Sequence, residues 1–111
     1  MLKISKKSIQ EKTGNFRDHL IEALKQPEKA LAYLQVALEE YQEDGDTDFF
    51  LTALRDITEA RGGVGSLAKQ TKLNRQNLYN ALSEKGNPRL SSLSTILKML
   101  GFQLSVNLVH S

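Results

Sequence analysis

The sequence predicts an all-α fold, a five- to six-helix domain containing a helix-turn-helix, closed by one C-terminal β-strand that pairs across a dimer. Three observations predict it. Apolar residues recur at i, i+3, i+4 spacing through successive segments from Phe16 to Leu100. Residues 63–86, GVGSLAKQTKLNRQNLYNALSEKG, read as two short amphipathic helices separated by a few residues. In FQLSVNLV, residues 102–109, the apolar period changes from 3.6 to 2.

Taken in order, residues 1–15 are a basic arm with Lys3, Lys6, Lys7 and Lys12 and no apolar period, expected to be mobile. A helical extension follows over 16–46. Asn15 caps a short helix, Phe16 to Lys25, with Asp18 near its positive end and Phe16, Leu20, Ile21 and Leu24 as its stripe. Pro27 breaks that helix and suits the first turn of the next, which runs to Glu43. Leu31, Leu34, Ala37 or Leu38, and Tyr41 are its expected inner face. Residues 39–48, EEYQEDGDTD, carry six acids. They read as a solvated loop or, more sharply, as an acidic contact for a basic partner.

The segment 47–101 is the expected helix-turn-helix domain. Asp46 or Thr47 caps a helix from Asp48 to Arg61, with Phe50, Ala53, Leu54, Ile57 and Ala60 inward and Gly62 and Gly63 as its stop. The run GGVG lacks the Gly-Lys-Ser/Thr ending of a phosphate loop, and no strand precedes it. Val64 to Thr71 is the first helix of the pair, with Leu67 and the small Ala68 inward, and Leu73 fills the corner. Asn74 caps the second, in which Leu78, Ala81 and Leu82 face inward. After a turn at Gly86, Asn87 and Pro88, a last helix from Leu90 to Leu100 closes the core through Leu90, Leu93, Ile96, Leu97 and Leu100, capped by Gly101.

In the terminal segment 102–111, Phe102, Leu104, Val106 and Leu108 alternate with Gln103, Ser105, Asn107 and Val109. A lone strand cannot satisfy its own backbone groups, so another chain must pair with it: a second copy about a two-fold axis, or the sheet edge of a different protein.

Composition bounds the function. The 111 residues suit one domain with a modest core, and 40% apolar with 25% charged residues argues for a folded chain. The absence of cysteine excludes a disulfide scaffold, a thiolate zinc site and a Cys nucleophile, and fits a reducing cytoplasm. The start of the chain has no long apolar run, so neither a signal peptide nor a membrane span is expected. His19 and His110 lie on unrelated segments. With no metal-ligand spacing and no nucleophile beside a base, the expectation is a non-enzyme without metal or cofactor.

Charge is asymmetric. Residues 1–60 hold 8 Lys+Arg and 12 Asp+Glu, net −4; residues 61–111 hold 7 Lys+Arg and the single acid Glu84, net +6. The basic half is the one with the helix pair, as a phosphate-binding surface requires. The outward residues of the second helix are Arg75, Gln76, Asn77, Tyr79 and Asn80. Arg pairs bidentately with guanine and Gln or Asn with adenine, so Arg75, Gln76, Asn77 and Asn80 are the candidate base-reading set in the major groove of double-stranded operator DNA. A polar surface helix of an ordinary bundle is the plainer alternative, but such helices favour Glu and Lys over Asn. Lys85 and Arg89 flank the exit turn and are candidate phosphate contacts.

The run Phe50 to Val106 resembles the addiction-module antidote proteins, the HigA-like antitoxins with a helix-turn-helix of the lambda-repressor class. The matching pieces are ALRDITEARGG, SLAKQTKLNRQNLYNALSEKGNPRL and LSTILKMLGFQLSV, with ALKQPEKALAYLQVALEE upstream. The resemblance implies an autorepressor with a cognate toxin, usually an mRNA-cleaving protein of RelE-like fold. It also implies backbone contacts from Ser66, Lys69, Asn74, Tyr79, Lys85 and Arg89. Two positions depart from the pattern: Lys72 stands where the turn often has Gly, and Val64 where Gln often meets phosphate. Three functional readings compete: a dimeric antitoxin that represses its own promoter, a free-standing regulator, and an interaction module that does not read DNA. The polar face of the second helix speaks against the last, and a small basic reading frame beside this one would favour the first.

Overall fold

The structure, a computed structural model, describes residues 15–71, 74–83 and 88–109. Among them are six α-helices and no strand: α1 Asn15–Ala23, α2 Pro27–Asp44, α3 Asp48–Ala60, α4 Val64–Gln70, α5 Arg75–Leu82 and α6 Leu90–Met99. α3 is the hub. α1 and α2 pack on it, as do α4 and α5, while α6 packs on α4.

That central place explains why α3 buries more than one stripe. Phe49, Leu51, Ala53, Leu54 and Ile57 are all buried, and Phe50, assigned inward by period alone, is only half-buried. A helix surrounded by neighbours is apolar around most of its circumference, so its period says little about which residue faces which neighbour. α3 also buries two polar residues. Thr58 donates its hydroxyl to the Leu54 carbonyl at 2.7 Å. Asp56 accepts from Arg17 Nη1 at 2.9 Å and from the Tyr33 hydroxyl at 2.8 Å. Arg17 also pairs with Glu59. One carboxylate thus ties α1 and α2 to α3.

The inner face of α2 matches the expectation at Leu34 and Ala37 and differs from it elsewhere. Ala30, Tyr33, Leu34 and Ala37 are buried, whereas Leu31, Leu38 and Tyr41 are 45%, 40% and 42% exposed. The helix is turned toward the smaller residues. Ala30 and Ala37 let it approach α3 closely, and Tyr33 then reaches Asp56 while its ring meets Phe49 edge-on, centroids 5.9 Å apart.

Helix ends follow local chemistry. Gly45 (φ 71°) donates its N–H to the Tyr41 carbonyl and ends α2. The α3 start is capped by Asp46, whose carboxylate accepts from the Asp48 N–H at 2.9 Å, while the Thr47 side chain makes no capping bond. α3 ends in a Schellman motif: Gly63 N–H bonds Thr58 O, Gly62 N–H bonds Glu59 O, and Gly62 has φ 109°. In α6 Ile96 and Leu97 are buried, as is its C-cap Leu100, and Leu93 is partly so, but Leu90, expected in the core, is 71% exposed at the first turn.

The C-terminal strand is not borne out. Phe102 closes a second Schellman motif, its N–H bonding Leu97 O at 2.8 Å and that of Gly101 bonding Lys98 O, and its ring packs against the core. Beyond it residues 103–109 run exposed, without a ladder partner among the described residues. Alternation alone does not make a strand, because the ladder needs a second strand to close its hydrogen bonds. The expected N-terminal arm and the corner residues Lys72 and Leu73 lie outside the described residues.

Candidate nucleic-acid interface

α4 and α5 pack on each other and on α3 through Leu67, Leu78 and Leu82, all buried, with Ala68 and Ala81 partly so. This inner side leaves the opposite side of α5 to solvent: Arg75, Gln76, Asn77, Tyr79 and Asn80 are all exposed. The helix starts where Asn74 turns extended (φ −78°, ψ 161°) and its Oδ1 accepts the Asn77 N–H at 2.7 Å. Such a cap is worth about 1 kcal/mol relative to alanine.

Four of these five side chains are tied into i, i+4 pairs. The Arg75 guanidinium lies over the Tyr79 ring, 5.7 Å from its centroid. Gln76 Nε2 donates to Asn80 Oδ1 at 3.1 Å. Each pair fixes long side chains in one direction at a gain of about 0.2–1 kcal/mol, so less rotamer freedom remains to be lost on contact. Gln76 keeps its carbonyl oxygen and one N–H beyond the internal bond. Donor and acceptor on one amide are what an adenine edge requires.

The flanking candidates are scattered more widely. Lys69 on α4 and Arg89 at the N-cap of α6 are exposed. Ser66 is half-buried against the Gly62 corner, where a Cβ on that glycine would meet its Cβ and Oγ at 3.3 Å. Lys85 lies outside the described residues. Of the four expected dimer residues, Phe102 belongs to the chain's own core, while Leu104, Val106 and Leu108 are 47%, 97% and 90% exposed.

Sequence reading missed the Arg17–Asp56–Tyr33 cluster. Its one signal was an acid three residues after Ala53 and next to Ile57, on the apolar face of that helix. Among the described residues no group of His, Cys, Asp and Glu could hold a metal, and no helix is long and apolar enough to cross a membrane.

These features define a class: a small all-helical domain in which a helix with a polar, cation-bearing outer face and an acid-rich helical extension both pack on one central helix. The chain belongs to the family described as Probable addiction module antidote protein, whose model matches residues 16–108. A Haemophilus influenzae (strain Rd) protein, described as uncharacterized, is 33% identical over 73 residues, which is 66% of this chain and 74% of that protein. No solved structure matches at comparable significance. An antidote family supports an antitoxin role and implies a cognate toxin as partner.

Proposed function

We propose that the chain is a DNA-binding antitoxin of a type II toxin–antitoxin module, which neutralises a RelE-like mRNA-cleaving toxin and represses its own operon. On this reading α4 and α5 are a helix-turn-helix of the lambda-repressor class, and α5 enters the major groove with Arg75, Gln76, Asn77 and Asn80 toward base edges. The observation that carries the reading is the α5 face, where four side chains able to pair with bases are exposed over a buried Leu78–Leu82 seam and three of them, Arg75, Gln76 and Asn80, are held in i, i+4 pairs. The +6 charge of residues 61–111 supplies attraction to phosphate.

The test is DNA binding by the full chain to the region upstream of its reading frame. Arg75→Ala is expected to lose about 1–3 kcal/mol on the specific site while non-specific binding changes little. An unchanged ratio of specific to non-specific affinity would remove Arg75 from the reading set.

A helix-turn-helix protein spans two half-sites as a dimer, and the exposed Leu104, Val106 and Leu108 are the dimer contact in this reading. Deleting 103–109 while keeping Phe102 is expected to leave a folded monomer in sedimentation. A dimer that survives the deletion places the contact elsewhere.

A further inference from the structure

The two side-chain pairs on α5 do unequal things to the groups they hold. Arg75 and Gln76 are the first two residues of the helix, and their partners Tyr79 and Asn80 lie one turn further on. All four are exposed. In a helix that enters the major groove by its first turns, the leading two residues meet the bases and the trailing two stand behind them. Arg75 has a ring as its i+4 neighbour where a carboxylate is the commoner partner, and α5 contains no acid. A cation–π contact directs the guanidinium but consumes none of its five N–H donors and none of its charge. The fork that fits guanine O6 and N7 stays whole.

Gln76 is held in a different way. A free glutamine amide has one acceptor and two donors, and it can turn its mixed edge to adenine or its NH2 group to the two acceptors of guanine. Here one Nε2 hydrogen is donated to Asn80 Oδ1 at 3.1 Å. One donor and the carbonyl oxygen remain, which match adenine N7 and N6–H and leave guanine one donor short. Asn80 turns its oxygen to this bond, whereas an adenine contact of its own needs that oxygen facing outward. Asn77 has Ala81 at i+4, so no polar side chain one turn on holds it. Resting on the DNA-binding reading above, we infer that α5 reads a guanine and a neighbouring adenine through Arg75 and Gln76, and that Asn80 is the positioning residue that restricts Gln76 to adenine. Tyr79 is the corresponding holder of Arg75. Consecutive Cα atoms are about 3.8 Å apart and stacked bases about 3.4 Å, so the two bases lie in adjacent pairs.

The experiment uses the full chain and, as probe, a duplex from the region upstream of its reading frame, with each base pair replaced in turn and a scrambled duplex of equal length for non-specific binding. Three variants are compared with the wild type: Asn80→Ala, Asn80→Asp and Tyr79→Ala. Thermal melts by circular dichroism check that each is folded. The wild type is expected to prefer guanine at one position and adenine beside it, each by about tenfold or more. Asn80→Ala is expected to let guanine replace that adenine, the preference falling by about tenfold, and to leave the preference at the guanine position unchanged. Tyr79→Ala is expected to do the reverse. Asn80→Asp keeps an acceptor for Gln76, so it should keep the adenine preference while its charge weakens binding to all sequences alike. Pairs that only stabilise the helix would move the melting temperature and neither preference. If the wild type selects a site without a guanine–adenine step, or if the folded variants leave both preferences unchanged or lower both together, the inference is overturned and the DNA-binding reading survives. A folded Asn80→Asp that has lost the adenine preference overturns it as well. If the wild type does not distinguish the upstream duplex from the scrambled one, the DNA-binding reading fails and the inference with it.

Discussion

Phe49→Ala is expected to lower the unfolding free energy by about 3–5 kcal/mol, the usual loss for emptying a buried aromatic site. Phe49 is 2% exposed at the start of α3, and its ring meets the Tyr33 ring edge-on across the α2–α3 seam. Removing it takes away the burial of the ring, the aromatic pair and the packing that holds Tyr33 toward Asp56. A domain of this size has about 5–15 kcal/mol in total, so the variant should sit close to its melting point under ordinary conditions. The neighbouring Phe50→Ala is the control. Phe50 is only half-buried, so its loss should be clearly smaller. Urea titration read by circular dichroism gives both values from the midpoint at constant slope. Equal losses would mean that α3 is rotated from the orientation described.

Asp56→Ala should be the most damaging polar substitution, at about 1–3 kcal/mol. It leaves the buried Tyr33 hydroxyl without its acceptor. Arg17, by contrast, is 48% exposed and keeps Glu59 beside it, so solvent absorbs much of that loss. At about 4 °C of melting temperature per kcal/mol for a chain of this length, the effect is well resolved in a thermal scan. Asp56→Asn retains an acceptor for Tyr33 and should lose less. The same cluster sets an alkaline limit. Burial, and then the Asp56 charge, push the Tyr33 phenol above its ordinary 10.0. In the unfolded chain the phenol ionises near that value while the folded one stays neutral, so the folded state holds the extra proton and stability falls as pH climbs past 10. Tyr33→Phe should remove that part of the decline, and an unaltered alkaline slope would show that Tyr33 does not contribute to it.

Wherever local chemistry decides, the residues alone were enough. Asn74 caps α5, Gly45 and Gly62 end α2 and α3 with positive φ, and Pro27 opens α2, each through bonds within a few residues of chain. α5 is amphipathic with one neighbouring side, so its period placed Leu78 and Leu82 inward and Arg75, Gln76, Asn77 and Asn80 outward. The family was legible too, from the pieces around LYNALSEKGNPRL, and the family model bears out its antidote character.

What depended on elements meeting at a distance was not legible. α2 could have turned either Leu31 and Leu38 or Ala30 and Ala37 to the core. Close approach to α3 and the bond from Tyr33 to Asp56 chose the alanines. Phe102 fitted an alternating strand on paper, yet its N–H closes the end of α6 and its ring joins the core, since a helix cap can be satisfied within the chain and a lone strand cannot. The helices, their ends and the wet face of α5 could be read from the residues, because they rest on neighbours a few positions apart. How α2 is turned, which acid is buried and where the tail begins were settled by packing, because those choices minimise the free energy of surfaces brought together from distant parts of the chain.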